Sequence, residues 1–388
     1  MNRKQPSPKR PLAACTLVLL SWLALLPAFA GEIEARLQAL MDEYETVGLA
    51  VVVVRDNAVV YSNSLGWKDK EAKVPLGQDD LFRIASISKS FVASSILQLA
   101  EQELLSLDDD VGDLLGFPVR NPAFDDQVIT VRMLLNHTSS LTDAQGYFTL
   151  DTINPDAGGT WAASYADRAP GTQYEYSNLG FNMLGTIVER VSGQRFDEYV
   201  RTHVTGPLGL YAGFNPDELD ADRFARIYEY TEDKGFVHAP QAYRPLGERL
   251  DGYVQGYGTP VFSPTGGMKI SAPDLARYMQ MHMNLGEHDG VRIISQAHAK
   301  AMQTPTVSID ADSEYGLALR TDRKLIPGIE LTGHTGSAYG LYSSMFFDAA
   351  EKYGFVVIIN GTRDVVVRDE VNRALHQHFI GETLRHRH

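Results

Sequence analysis

Cysteine is nearly absent: Cys15 is the only one in 388 residues. One thiol cannot build a disulfide framework, so stability has to come from an apolar core, even in an oxidising compartment. Basic residues are also in short supply, with 35 Lys+Arg against 49 Asp+Glu and a net charge of −14. That balance argues against nucleic acid and anionic membrane surfaces as partners. It leaves small-molecule or short-peptide substrates open. Zinc-ligand spacing, a P-loop and a dinucleotide-binding glycine motif are all missing, so the expectation is no metal and no cofactor. Beyond residue 30 there is no Gly/Ser-rich or Pro-rich linker, no long charge run and no internal repeat.

What is present at the N-terminus reads as an export signal. Arg3, Lys4, Lys9 and Arg10 form a basic start, Pro11 to Pro27 an apolar stretch, and Ala28-Phe29-Ala30 a small-x-small cleavage pattern. Residues 1–30 are therefore expected to be a cleaved signal peptide, with 31–388 forming one periplasmic or secreted domain. The alternative is an uncleaved anchor, because Pro11 to Ala30 is long enough to cross a bilayer. Leu12-Ala13-Ala14-Cys15 looks like a lipoprotein box but sits at the start of the apolar stretch, not after it. Cleavage leaves 31 Lys+Arg against 49 Asp+Glu and a net charge of −18. No stable membrane insertion is expected after cleavage, and the oligomeric state stays open. At 44% hydrophobic residues, the chain has ample material for a core.

Periodicity organises the rest. Glu32 to Tyr44 has Ile33, Leu37, Leu40 and Met41 on one helical face. Gly48 to Val54 and Ala58 to Ser62 are β-rich, joined by the hairpin signal Arg55-Asp56-Asn57. Ser86 to Leu105 reads as a buried helix. From about 105 to 270, helical segments (131–135, 178–191) alternate with loops rich in Gly, Pro and Asp, and 272–283 is again helical. Tyr315 to Arg320, Gly328 to Thr332, Gly340 to Phe347 and Gly354 to Asn360 return to β character, and a helix from about Val365 to Phe379 follows. The pattern predicts an α/β fold: a sheet built from both chain ends and flanked by helices, with an inserted, mainly helical lobe.

Three short segments carry chemistry: Ser86-Ile87-Ser88-Lys89, Tyr176-Ser177-Asn178 and His334-Thr335-Gly336. A serine hydroxyl needs a base within hydrogen-bond reach to act as a nucleophile near neutral pH. Lys89, three residues on, shares a helical face with Ser86, and becomes a base only if burial or neighbouring charge lowers its pKa. Alone, Ser86-x-x-Lys89 reads rather as a helix-capping serine with an exposed lysine. Tyr176-Ser177-Asn178 alone reads as a polar turn capping a helix.

Together, in this order and spacing, the three segments resemble those of the penicillin-recognising serine hydrolases, the serine β-lactamases and DD-peptidases with their esterase and D-aminopeptidase relatives. The resemblance runs from about Ile33 to Phe379. Flanking stretches extend it: Leu134-Leu135-Asn136-His137-Thr138-Ser139-Ser140-Leu141, Gly206-Pro207-Leu208-Gly209-Leu210 and Thr265-Gly266-Gly267-Met268. It implies a β-lactamase/transpeptidase-like fold with an antiparallel sheet and a site between two lobes. It implies Ser86 as nucleophile, with Lys89 and Tyr176 handling protons; which of the two takes the serine proton stays open. It also implies Asn178, His334, Thr335 and Gly336 as substrate-binding residues, Gly336 letting substrate lie along a strand edge. The backbone N–H groups of Ser86 and Ser337 would form the oxyanion hole.

His334 departs from the Lys-Thr-Gly usual in β-lactamases. Histidine titrates near ~6.5 when unperturbed and is mostly neutral at neutral pH, so a weaker positive field would favour the esterase and D-aminopeptidase branch. If charge at this position orients an anionic substrate, His334→Lys should improve binding above pH 7. His137 reads as a loop stabiliser, and His376, His378, His386 and His388 as a solvated tail. Tyr147, Phe148, Trp161 and Tyr339 fit a cleft lining or core equally well. The expected function is a serine acyl hydrolase working through a covalent acyl-enzyme on ester or amide (D-peptide or β-lactam-like) substrates. The alternative is a non-hydrolytic penicillin-binding or sensor protein on the same fold.

Overall fold

The structure, a computed structural model, describes residues 31–381. The signal-peptide and anchor readings on residues 1–30 lie outside them, as do His386 and His388. Among the described residues no helix is long and apolar enough to cross a membrane.

Nine strands form one antiparallel sheet: β1 (Gly48–Arg55), β2 (Ala58–Asp69), β3 (Val74–Pro75), β4 (Val307–Asp310), β5 (Ser313–Tyr315), β6 (Arg320–Asp322), β7 (Leu331–Ala338), β8 (Leu341–Asp348) and β9 (Tyr353–Ile359). Their order is β4-β5-β6-β7-β8-β9-β1-β2-β3, so the two chain ends meet at the centre, with Leu49 opposite Ile359 and Arg55 opposite Tyr353. The β1–β2 turn places Asp56 and Asn57 at φ 51° and 61°. Two left-handed central residues make the hairpin turn whose twist matches the flanking strands.

Five helices matter for the site and its support: α1 (residues 31–43), α2 (Ser88–Glu101), α3 (Asn178–Ser192), α4 (Ala272–Met283) and α5 (Val366–Phe379). Strand β1 is apolar from Gly48 to Val54 because both faces of the sheet are covered there. Leu49, Val51 and Val53 pack with Ile33, Leu37 and Met41 of α1 and Val367, Val371 and Leu375 of α5. Ala50, Val52 and Val54 point the other way, into the core shared with α2, α3 and α4. Each fully buried valine stabilises the fold by about 1.5–3 kcal/mol relative to exposure, and together these rows fix the sheet as the rigid floor of the site. The α/β class with a sheet built from both chain ends is the one the sequence pattern predicts, and its antiparallel order between flanking helices is what the family resemblance implies.

The expected strand Gly328 to Thr332 is shifted to Leu331–Ala338, and two further elements differ from the sequence reading. Expected strand Tyr315 to Arg320 is broken between β5 and β6, where Ala318 adopts φ 59°. Gly316 lies so close to the chain there that a Cβ would stand 2.3 Å from the Met302 carbonyl oxygen. The helix expected to reach Leu105 stops at Glu101, because Glu103 turns left-handed at φ 56° and Leu104 N–H closes back onto the Leu99 carbonyl. Glycine usually makes that stop; a glutamate there leaves no sequence signal.

Candidate active site

Ser86 sits on a single 3₁₀ turn, Ala85–Ile87, that leads into α2. Ala85 is held at φ 51°, a conformation costly for a residue with a Cβ. Three contacts hold the turn in place. Ile84 N–H donates to the Met268 carbonyl at 3.0 Å, Ser343 Oγ donates to the Ile84 carbonyl at 2.9 Å, and Met268 N–H donates to Ser88 Oγ at 3.0 Å. The turn lies against β7, where Gly336 makes the approach possible. A Cβ on Gly336 would stand 2.2 Å from the Ile84 carbonyl oxygen and 2.4 Å from Ser343 Oγ. Gly336 is buried and does not line the cavity, whereas Thr335 and Ser337 do. The contact the structure gives Gly336 is close packing under the turn that carries Ser86.

Lys89 is fully buried on the first turn of α2. Its Nζ lies 3.1 Å from Ser86 Oγ, 2.9 Å from Asn178 Oδ1 and 2.9 Å from the Thr265 carbonyl oxygen. Burial drives its pKa well below the usual lysine value, and the Asp143 carboxylate opposes that shift only partly. The Tyr176 hydroxyl donates to Ser86 Oγ at 2.7 Å, and its ring lies 4.7 Å from Lys89 Nζ. Burial raises the Tyr176 pKa above its ordinary value, with the Ser86 hydrogen bond acting in the opposite direction.

Asn178 opens α3, and Ser177 caps it, its Oγ accepting from Gly180 N–H at 3.1 Å. The cap and the expected site contact coexist. Asp143, which the sequence reading did not single out, anchors this end: its carboxylate accepts from Asn178 N–H, Asn178 Nδ2, Leu179 N–H and Ser177 Oγ. An anion at a helix N-terminus is stabilised by the unpaired N–H groups there. His137 sits at φ 60°; its Nδ1 accepts from Ser177 N–H at 3.1 Å, and its ring packs 4.4 Å from that of Tyr176.

His334 is 5% exposed. Its Nδ1 faces the Thr335 carbonyl oxygen, an acceptor only, so the proton is on Nδ1 and Nε2 accepts from the Tyr315 hydroxyl at 3.1 Å. Burial first, then the Lys89 and Arg320 charges, lower its pKa to about 3. This histidine is neutral and carries no positive charge into the cleft. The fixed cation nearby is Arg320 on β6, paired with Asp322 at 2.6 Å.

These groups line a cavity of about 550 Å³ whose wall includes Ser86, Tyr176, Asn178, Thr265, His334, Thr335 and Ser337. Tyr174, Tyr315, Arg83 and Arg320 also line it and were missed in the sequence. They lie on separate elements that only the folded chain brings together. Tyr147, Phe148 and Tyr339 face the cavity, whereas Trp161 packs edge-on against Tyr165 at 6.1 Å instead. Strand β7 pairs with β6 only as far as Gly333, so beyond that residue its edge opens on the cavity.

The chain is similar to known proteins in sequence and in fold. The chain is 29% identical over 327 residues to "Penicillin-binding protein 4" of Amycolatopsis lactamdurans, covering 80% of each chain. It is 30% identical over 286 residues to "Esterase EstB" of Burkholderia gladioli, covering 65% of this chain and 70% of the esterase. Among solved structures, the octameric penicillin-binding protein homologue from Pyrococcus abyssi superposes with a TM-score of 0.74 at 25% identity, over 91% of this chain and 77% of that one. The family model described as Beta-lactamase matches residues 33–378. The chain belongs to the Beta-lactamase family.

Proposed function

We propose that the chain is a secreted serine acyl hydrolase that cleaves ester or amide bonds, of the D-peptide or β-lactam-like kind, through an acyl-enzyme on Ser86. One observation carries this reading: the hydrogen-bond count at Lys89. Asn178 Oδ1 and the Thr265 carbonyl can only accept, so Nζ donates to both. A neutral amine has two N–H groups, and its remaining lone pair then faces Ser86 Oγ at 3.1 Å. Lys89 is therefore assigned as the base, and Tyr176 as the donor to the leaving group.

The protons balance over the cycle. Lys89 takes the Ser86 proton as Oγ bonds to the substrate carbonyl carbon. The tetrahedral intermediate, its oxygen held by the N–H groups of Ser86 and Ser337, collapses as the leaving group departs with the Tyr176 proton. The Lys89 ammonium, 4.7 Å from the centre of the Tyr176 ring, then stabilises the phenolate. Water attacks the acyl-enzyme, returns a proton to Tyr176, and Ser86 Oγ recovers its own from Lys89 as the ester bond breaks. Arg320 is the cation available to an anionic leaving group, the role a lysine at position 334 would otherwise fill. Export rests on the basic, apolar and Ala28-Phe29-Ala30 pattern; N-terminal sequencing of the exported protein is expected to start at Gly31, and any residue upstream of it would refute cleavage there.

Hydrolysis of p-nitrophenyl acetate tests the catalytic reading. Ser86→Ala is expected to lower turnover by roughly a thousandfold or more. Equal turnover by both proteins would overturn the assignment, and a long-lived penicillin adduct without turnover would favour the sensor alternative.

A further inference from the structure

A second cavity of about 280 Å³ adjoins the first, and Arg83, Phe148, Ser263 and Tyr339 belong to both. Its floor is apolar, with Phe214, Val261 and Phe262, while Arg244 and Arg249 join Arg83 around it and no acidic residue lines it. Among the described residues none of the three guanidiniums is ion-paired. Arg83 donates to the Gly266 carbonyl at 2.8 Å and to Ser263 Oγ, and stacks 5.0 Å from the Tyr339 ring. The Asp217 carboxylate nearby accepts from the N–H groups of Leu246 and Gly247, which shapes the loop carrying Arg244 and Arg249. In a chain of net charge −14, three uncompensated cations around one apolar cavity are a concentrated local field.

The direction of the substrate follows from β7. Arg320 pairs opposite Gly333 at one end of the strand's open edge, Ser86 lies beside Gly336 in the middle, and Tyr339 follows the far end. From Gly336 to Ala338, where the strand ends, the backbone spans about 7 Å, and Tyr339 turns left-handed at φ 58°. Tyr176 stands on the Arg320 side, its ring 6.4 Å from that of His334. A leaving group protonated by Tyr176 therefore occupies the Arg320 end, and the acyl arm runs towards Tyr339 and into the second cavity.

We propose that this side cavity is a subsite for the acyl arm of the substrate, and that it takes an apolar spacer ending in a carboxylate or comparable anion. The direction of the arm rests on the hydrolase reading above; the anion preference of the cavity rests on its lining. Apolar walls bind the spacer, and the arginines fix the anion through charge-assisted hydrogen bonds.

The test compares mono-p-nitrophenyl suberate with p-nitrophenyl octanoate, which differ by one terminal carboxylate. The wild type is expected to show a suberate-to-octanoate ratio of kcat/KM of about ten or more at low ionic strength, shrinking as salt screens the field. In the Arg244→Ala/Arg249→Ala variant the ratio is expected to fall towards one through KM, and Arg244→Lys/Arg249→Lys to retain most of it. A wild-type ratio near one, or a ratio unchanged in the alanine variant, overturns the subsite. Equilibrium binding of suberate dianion to the folded Ser86→Ala protein reads the cavity without any turnover. Binding weakened about tenfold by the two alanines supports the subsite, and binding indifferent to them overturns it. Loss of ester turnover with suberate binding intact would instead strike the hydrolase reading alone.

Discussion

Asp143 Oδ2 accepts a hydrogen bond from Asn178 Nδ2 at 2.8 Å, and this contact decides which end of the Asn178 amide faces Lys89. A carboxylate cannot donate, so the amide nitrogen must face it and Oδ1 must face Lys89 Nζ and Thr265 Oγ1. Asp143 thereby controls the lone-pair direction of a lysine it does not touch.

Asp143→Asn is accordingly expected to lower kcat/KM by about ten- to a hundredfold, the cost of a misplaced reacting group. The pH profile distinguishes this role from simple destabilisation. Lys89 must be neutral to act as base, so activity rises with pH through its pKa. The Asp143 charge raises that pKa, and its removal is expected to move the acid limb to lower pH. An acid limb that stays in place or moves up would contradict the assignment.

His334 and His282 make the fold acid-sensitive. Burial holds both at pKa values of about 3, while the unfolded chain binds their protons near ~6.5. Between those values the unfolded state carries the extra protons, so stability falls as pH falls from about 6.5 towards 3. The slope is about 1.4 kcal/mol per pH unit for each histidine. His282→Phe is expected to flatten the slope measured by urea unfolding between pH 6 and 4; an unchanged slope would show that His282 is not a source.

Gly336→Ala tests the packing under Ser86. Its Cβ would overlap the Ile84 carbonyl and Ser343 Oγ, so the turn carrying Ser86 has to move. Overpacking of this kind costs about 1–3 kcal/mol, and kcat is expected to fall by more than the stability loss explains. Wild-type kcat in a folded variant would show that the approach is not needed.

Arg320, not His334, is expected to recognise anionic leaving groups. Arg320→Gln should raise KM about tenfold for m-carboxyphenyl acetate relative to phenyl acetate. His334→Lys places an ammonium in a buried site beside Lys89 and Arg320, so lower stability is expected in place of the improved binding the sequence pattern suggested. A selective KM gain in His334→Lys would reverse this view.

Much of this was legible because it is local. The β-rich apolar run of β1, the Asp56-Asn57 turn and the Ser177 cap each follow from neighbouring residues. Ser86, Lys89, Tyr176 and Asn178 were recognisable as types at set spacings, and the fold brings them within hydrogen-bond reach. Asp143, the Thr265 carbonyl and Arg320 were not legible. An aspartate in a loop, a backbone oxygen and an arginine on a three-residue strand acquire meaning only from what lies across the cleft. The close packing of Gly336 against Ile84 and Ser343 was not legible either, because sequence does not tell which face of a strand is crowded.

The most direct measurement is intact-protein mass spectrometry of a sample quenched during turnover of p-nitrophenyl acetate. A single acetyl increment is expected, mapped by proteolysis to the peptide containing Ser86, with a burst of p-nitrophenol no larger than one equivalent. Turnover with no adduct and no burst, or an adduct on another residue, would contradict the acyl-enzyme on Ser86.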